Sequence, residues 1–271
     1  MVSFPRTRLL RSFPIQASVE PPHDEPRLGA RNVAGMAVTE ALEADAWAAA
    51  DAAQVETFRA EYRARFAGRF YNGRLHAATT FGIGLGAIAL GLSQLRRVRR
   101  PELAVVPAAL VFGNLIEWLV HKELLHRLRP GFFVFYSRHA LNHHQFFNSE
   151  RMTFDGPDDL RIVFFPPFAI LASIGGTAAI GAGLARLSGS RNAGLLYNAT
   201  STAFYLLYEA MHLCEHVPET SFAARIPFVA FMRRHHAHHH DKRVMVERNM
   251  NLTFPLADAL LGTLDRAASQ S

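Results

Sequence analysis

"LHAATTFGIGLGAIALGLSQL", residues 75 to 95, carries no Asp, Glu, Lys or Arg. Wound as an α-helix, a stretch of that length reaches across the hydrocarbon core of a bilayer. Three later stretches are similarly apolar: "ELAVVPAALVFGNLIEWLV" (102–120), "IVFFPPFAILASIGGTAAIGAGLA" (162–185) and "AGLLYNATSTAFYLLYEAMHLC" (193–214). They are rich in the small residues that let membrane helices approach closely. None has the polar stripe by which a helix at the rim of a soluble core meets water. The expected fold class is therefore all-α and integral to a membrane, with four transmembrane helices in two hairpins.

Four crossings bring the ends of the second and fourth helices to one side, and the histidine clusters follow those two ends. A histidine-rich helical cap is expected on that face. The linking segments "RRVRR" (96–100) and "RLSGSR" (186–191) lie on the opposite side. The positive-inside rule pulls both ways. The short arginine loop favours its own side, but the histidine side holds more cations, including Lys122, Arg127, Arg129, Arg138, Arg233, Arg234, Lys242 and Arg243. The histidine face is expected to be cytoplasmic; a bacterial inner membrane and the endoplasmic reticulum fit equally.

The 271 residues are 49% hydrophobic, with a net charge of +6 that suits an anionic partner such as phospholipid headgroups or nucleic acid. Four spans leave little room for an aqueous nucleic-acid-binding domain, so none is expected. A single cysteine, Cys214, excludes an intramolecular disulfide framework, and with no CxxC pair any metal must be held by His and carboxylates. Residues 1–35 are Pro-rich and non-periodic, a disordered leader. Arg6, Arg8 and Arg11 stand there without an acid in the first nineteen residues, but no apolar face accompanies them. Over residues 36–70 the composition turns Ala- and Glu-rich, and Val55, Phe58, Tyr62 and Phe66 recur at helical spacing. This reads as an amphipathic helix on the membrane surface or against the histidine face. Residues 71–271 form the membrane domain.

Ten of the 14 histidines stand in four clusters: His121 and His126; His139, His143 and His144; His212 and His216; His236, His239 and His240. On a helix, residues three or four apart share a face, so His212 with His216, and His236 with His239 and His240, can point into one volume. His121 and His126 are five apart, about 140° around an ideal helix. They converge only if the helix ends or bulges, or if each serves a different ion. The doublets His143-His144 and His239-His240 suggest one imidazole for each of two ions. Ten imidazoles exceed a mononuclear site and suit a dinuclear one with about five nitrogens per ion. A pH-sensing patch would explain the composition but not the recurring doublets.

His238 points away from His236 on a helix, and His235 can fall either way. His23 and His76 belong to no cluster and are expected to be solvated or interfacial. Glu117 and Glu209 lie on the same helix faces as His121 and His212; each either orients an imidazole or is a plain helix-end acid. Asn114 and Asn198 are expected to bond between helices.

At these residues the chain resembles the fatty acid hydroxylase and sterol desaturase superfamily of membrane di-metal oxygenases, over residues 75–265. "DDLRIVFFPPFAI", the extra box "YEAMHLCEH" and the last box "HHAHHH" are similar to those of the fatty acid 2-hydroxylases. The closing "NMNLTFPLADALLGT" is similar to the family's final segment, with Asp258 at the acidic position and Asn251 where glycine is usual. The resemblance implies that the ten clustered histidines ligate two metal ions, with Glu117, Glu209 and Asp258 behind them. The second box, HX3HH, is wider than the HX2HH usual in the 2-hydroxylases, which shifts His139 out of the family's register. No His-Pro-Gly-Gly stretch stands in these residues, so no fused cytochrome-type haem domain is expected.

The resemblance further implies a lipid or acyl-chain substrate from the bilayer, O2 as co-substrate, and a separate cytochrome- or ferredoxin-type electron donor. Iron supplies the redox chemistry that zinc lacks, although zinc can occupy such a set in a purified form. The reaction that the resemblance implies is hydroxylation of a lipid or fatty acyl chain, with the 2-position expected from the similarity to 2-hydroxylases; the alternative is a sterol, carotenoid or alkyl-glycerol oxygenase or a desaturase, which share the ligand set. A non-catalytic membrane metal-binding protein is the reading from another class, though a transporter would place its ligands at mid-bilayer. Phe132, Phe133, Phe135, Tyr136, Phe146 and Phe147 would line or lid the access route, or anchor the chain at the interface.

Overall fold

A computed structural model describes residues 51–67 and 70–265, all within one unit of the chain, Trp47–Ser271. The expected leader and residues 36–50 of the expected amphipathic helix lie outside the described residues. No strand occurs among those described. Helix α1 covers residues 51–66. It is followed by α2 (Gly73–Ser93), α3 (Val105–Val120), α4 (Phe133–Tyr136), α5 (His144–Phe146), α6 (Leu160–Val163), α7 (Pro167–Ser188), α8 (Arg191–His216), α9 (Pro227–His239) and α10 (Leu256–Leu261).

Three stretches are long and apolar enough to cross a membrane: Gly73–Ser93, Arg100–Leu125 and Pro157–Ser188. They turn large apolar side chains outward, among them Leu85 and Leu90 of α2, Val111 and Phe112 of α3, and Leu171 and Ile180 of α7. The expected fourth span, α8, has the length, 26 residues, without matching their apolarity. The reason is its place. It packs against α2, α3 and α7 with fourteen residues buried, so helices rather than lipid surround much of it and polar residues can be carried.

The ends of the long helices are set by local chemistry. Asn72 Oδ1 accepts the Leu75 N–H at the start of α2, and Ser190 Oγ accepts the Ala193 N–H at the start of α8. Gly189 ends α7 at φ +65°, a left-handed position that glycine adopts freely. The two loops beyond these ends are stitched together: Ser190 Oγ donates to Glu102 Oε1 at 2.6 Å, and Asn192 Nδ2 donates to the Arg96 carbonyl at 2.8 Å.

Helix α1 lies against the histidine-bearing segments. Val55 and Tyr62 are buried, and Tyr62 with Phe58 and Phe66 packs on Phe146, Phe147, Met152 and Leu160, beside the histidine-bearing segments. Arg59 of α1, fully buried, donates to the carbonyls of Phe146 and Thr153 and pairs with Asp155 at 2.9 Å; its guanidinium lies 4.3 Å from the Phe146 ring centre. Four partners compensate a charge that would be costly to bury alone.

One expectation is corrected here. His76 is not solvated: the segment leading into α7 covers the start of α2, so the His76 Nε2–H donates to the Phe165 carbonyl and the Tyr71 hydroxyl donates to Nδ1, each at 2.9 Å. Asn114 of α3 does bond between helices, accepting the Ala257 N–H of the short helix α10 at 2.9 Å. It also holds the C-terminal loop onto α3, donating to Thr253 Oγ1 and the Phe254 carbonyl. Asn198 does bond between helices, accepting from Thr177 Oγ1 of α7 at 2.7 Å.

At the crossing of α7 and α8 the backbones touch through Gly181 and Gly194. A Cβ on Gly194 would stand 2.3 Å from the Gly181 carbonyl oxygen, and one on Gly181 would stand 2.6 Å from the Gly194 carbonyl oxygen. Gly194→Val should therefore cost about 1–3 kcal/mol by overpacking and lower the unfolding temperature in detergent by several degrees. Gly176→Val, facing open space on α7, should leave it unchanged; equal melting of the two variants would refute the tight crossing.

Candidate metal centre

The spacing of the first two boxes is resolved by helix widening. Past Val120 the chain makes a π-helical turn, His121–Leu125, in which the His126 N–H bonds to the His121 carbonyl at 3.2 Å. That i+5 turn puts two residues five apart on one side, and the ring centres stand 5.0 Å from each other. A second π turn, Ser137–His143, has the His144 N–H bonding to the His139 carbonyl. His139 and His144 are thereby brought together as well, with ring centres 4.7 Å apart. The HX3HH spacing that looked out of register is what a π turn accommodates.

Two groups of ring nitrogens result, each with its nitrogens within 4.8 Å of one another. The first holds His121, His126, His139, His144 and His239; the second holds His143, His216, His236 and His240. His212 adjoins the second, its Nε2 3.2 Å from His143 Nε2. Both doublets divide between the groups, and the rings of His144 and His240 stack with centres 4.2 Å apart where the groups meet.

What orients the rings is backbone. The carbonyls of Met250, Ile162, Met152, Arg248 and Phe147 accept from Nδ1 of His121, His143, His216, His239 and His240, at 2.5 to 3.2 Å. A carbonyl cannot donate, so each of these Nδ1 atoms carries the proton, and each neutral ring presents an Nε2 lone pair. His143 and His240, both so committed, face each other Nε2 to Nε2 at 3.2 Å. Two acceptors at that separation repel unless a cation lies between or beside them.

A proton is a poor cation here. Burial, reinforced by neighbouring imidazoles, pushes His139, His143, His144, His236 and His240 well below the usual histidine range, and His239 down to about 3. Protonating His239 at pH 7 would cost on the order of 5 kcal/mol. A divalent metal ion fits. Metal–nitrogen bonds of about 2.1 Å place ligating nitrogens at most about 4.2 Å apart, comparable to the spread within each group.

Two of the three acids singled out from the sequence, Asp258 and Glu117, act through a loop rather than on the clustered rings. Asp258 accepts the Met250 and Asn251 N–H groups at 2.8 Å and the Thr263 hydroxyl at 2.6 Å, fixing the residue whose carbonyl orients His121. Glu117 accepts the N–H groups of Leu252 and Thr253 and the Thr253 hydroxyl, in the same loop. Glu209 accepts from the Tyr205 hydroxyl at 2.9 Å. His235 joins neither group; its Nε2 lies 3.3 Å from Asp258. His238 points out to Asp265 at 2.9 Å.

The expectation for Phe146 and Phe147 is corrected: both are fully buried, neither lining an opening nor anchoring at an interface. Phe147 stacks on His216 with centres 4.0 Å apart, and Phe146 lies against Arg59. Phe132 and Phe133 are exposed. Glu215 was not singled out, although an acid inside "HLCEH" was a visible signal; its side chain is buried beside His236. The backbone carbonyls left no trace in residue types.

These features define a helical membrane protein with a buried polyhistidine centre. The fatty acid hydroxylase family matches residues 106–263, more than half of the chain, and the protein belongs to that family. No curated protein and no solved structure matches it.

Asp258→Ala, which frees the Met250 loop, should weaken metal retention against a chelator by roughly 10- to 100-fold, read as metal per chain after dialysis. His238→Ala should leave retention unchanged. Loss of metal in the His238 variant, or none in the Asp258 variant, would contradict these placements.

Proposed function

We propose that the protein is an O2-dependent membrane oxygenase that uses two metal ions, iron in the working enzyme, to hydroxylate a lipid or fatty acyl chain, with the 2-position as the preferred site. The observation that carries this reading is the set of backbone-fixed Nε2 lone pairs, assembled from four sequence clusters with no proton to share between them. The ten clustered histidines are the ligands: His121, His126, His139, His144 and His239 for one ion; His143, His212, His216, His236 and His240 for the other. Bound iron would supply the chemistry that puts one oxygen atom of O2 into a C–H bond while the other leaves as water, with two electrons from a separate donor of cytochrome or ferredoxin type and two protons from solvent.

The chain's own residues hold, orient and enclose. An apolar cleft of about 320 Å³ between α3, α7 and α8 is lined by Phe112, Ile116, Ile180, Phe204, Glu117 and His121, among others. Phe112, Ile116 and Ile180 also face outward, so the cleft runs from the lipid-facing surface to the first histidine group. Such a cleft admits an acyl chain directly from a bilayer and keeps water from the reacting carbon. Helix α8 is the fourth crossing in this reading, shielded by its neighbours, and the histidine face is cytoplasmic, where a soluble donor can reach it.

His144→Ala and His240→Ala should each insert normally but hold fewer than two ions per chain and lose lipid hydroxylation, measured by metal analysis and by lipid profiling of expressing cells. Retention of both ions in either variant would sink the dinuclear assignment. An unchanged lipid profile on expressing the native chain would sink the proposed reaction.

A further inference from the structure

The two histidine groups differ in what stands behind them. Among the described residues, ion pairs between an acid and an imidazole join Asp258 to His235, Asp265 to His238 and Glu215 to His236. Of these rings only His236 belongs to either group. The Glu215 side chain is 0% exposed and neither of its oxygens has a hydrogen-bond partner. His236 Nδ1, 3.8 Å from Oε2, lacks a partner too. A buried carboxyl group with both oxygens empty is costly, and so is a buried ring N–H. Here the two orphans face each other.

Their backbones are braced for the encounter. The Arg233 guanidinium donates to the carbonyls of Cys214, Glu215 and Val217 at 2.7 to 3.1 Å, tying the end of α8 to α9 three residues before His236. His236 Nε2 lies 3.1 Å from Nε2 of both His216 and His240. A cation bound through those Nε2 atoms leaves Nδ1 as the N–H of His236, aimed at a carboxylate. Closing 3.8 Å to hydrogen-bond distance takes a side-chain shift of about 1 Å.

We infer that Glu215 is a positioning residue for one metal of the pair alone, taking the His236 Nδ1–H when an ion binds among His143, His216, His236 and His240. A carboxylate on that N–H makes the imidazole a stronger donor and offsets part of the ion's charge. In the group around His121 no carboxylate pairs with a ring among the described residues, and the Nδ1 atoms of His121 and His239 meet the carbonyls of Met250 and Arg248. The ion beside Glu215 is therefore the more tightly held of two otherwise similar ones, and the two sites are inequivalent by construction. This rests on the two-metal reading.

The test compares the full-length protein with Glu215→Gln in detergent, both loaded with Zn2+ and titrated with a chelator, with metal per chain and thermal unfolding recorded. In the variant one ion should leave at roughly 10- to 100-fold lower chelator concentration than in the native protein, and the other should leave unchanged. The stripped variant should unfold at the same temperature as the stripped native protein or higher, because an uncompensated buried carboxyl is gone. Glu215→Asp, which keeps the charge but shortens the reach, should be intermediate. Release of both ions as in the native protein overturns the inference. So does equal weakening of both with lower stability of the stripped form, which marks a packing role. A native chain that holds fewer than two ions overturns the two-metal reading itself, and this inference with it.

Discussion

Five hydrogen bonds from imidazole Nδ1 to backbone carbonyls are the constraint from which the centre follows. Each removes a ring's freedom to choose its tautomer and turns its lone pair inward. Together they create a pocket of acceptors that water cannot reach and protons do not favour. The polypeptide stores this arrangement in segments far apart in sequence: the carbonyls come from loops at 147 to 162 and 248 to 250, while the rings come from α8, α9 and the π turns. Remove the loops and the rings would rotate to satisfy one another, and the affinity for a cation would fall.

The rest of the architecture serves to keep those loops still. Asn114, Glu117 and Asp258 clamp the 249–254 segment against α3 and α10, all within the buried interior. Arg59 does the same for the segment around Phe146 and Thr153 from the side of α1. The apolar helices supply the other half of the design. Their outward faces suit lipid, and between them an apolar-lined cleft reaches His121, the route that the proposed substrate would take to the centre.

Much of this was legible in the residues. Stretches of membrane length with few or no charges exposed the helices, and histidine doublets exposed a centre with two halves, because such spacing has few other uses. The helical turn type was half legible: the five-residue step from His121 to His126 called for a helix end, a bulge or separate ions, and did not say which. Other features were hidden for physical reasons. Backbone carbonyls have no residue signature. Phe146 and Phe147 read as surface aromatics because nothing local announces that α1 and the rings of His143 and His216 will cover them. The polar residues of α8 obscured that it is the most enclosed long helix, since burial among helices relaxes the hydropathy that lipid contact demands.

The central claim is that imidazole nitrogens alone, drawn from all four clusters, surround two cations. X-ray absorption at the metal edge of the loaded, full-length protein tests it most directly. The account predicts two ions per chain, each with a shell of nitrogen donors, about five per ion, and strong imidazole outer-shell scattering without sulfur. A shell made mainly of oxygen, or one ion per chain, would contradict it.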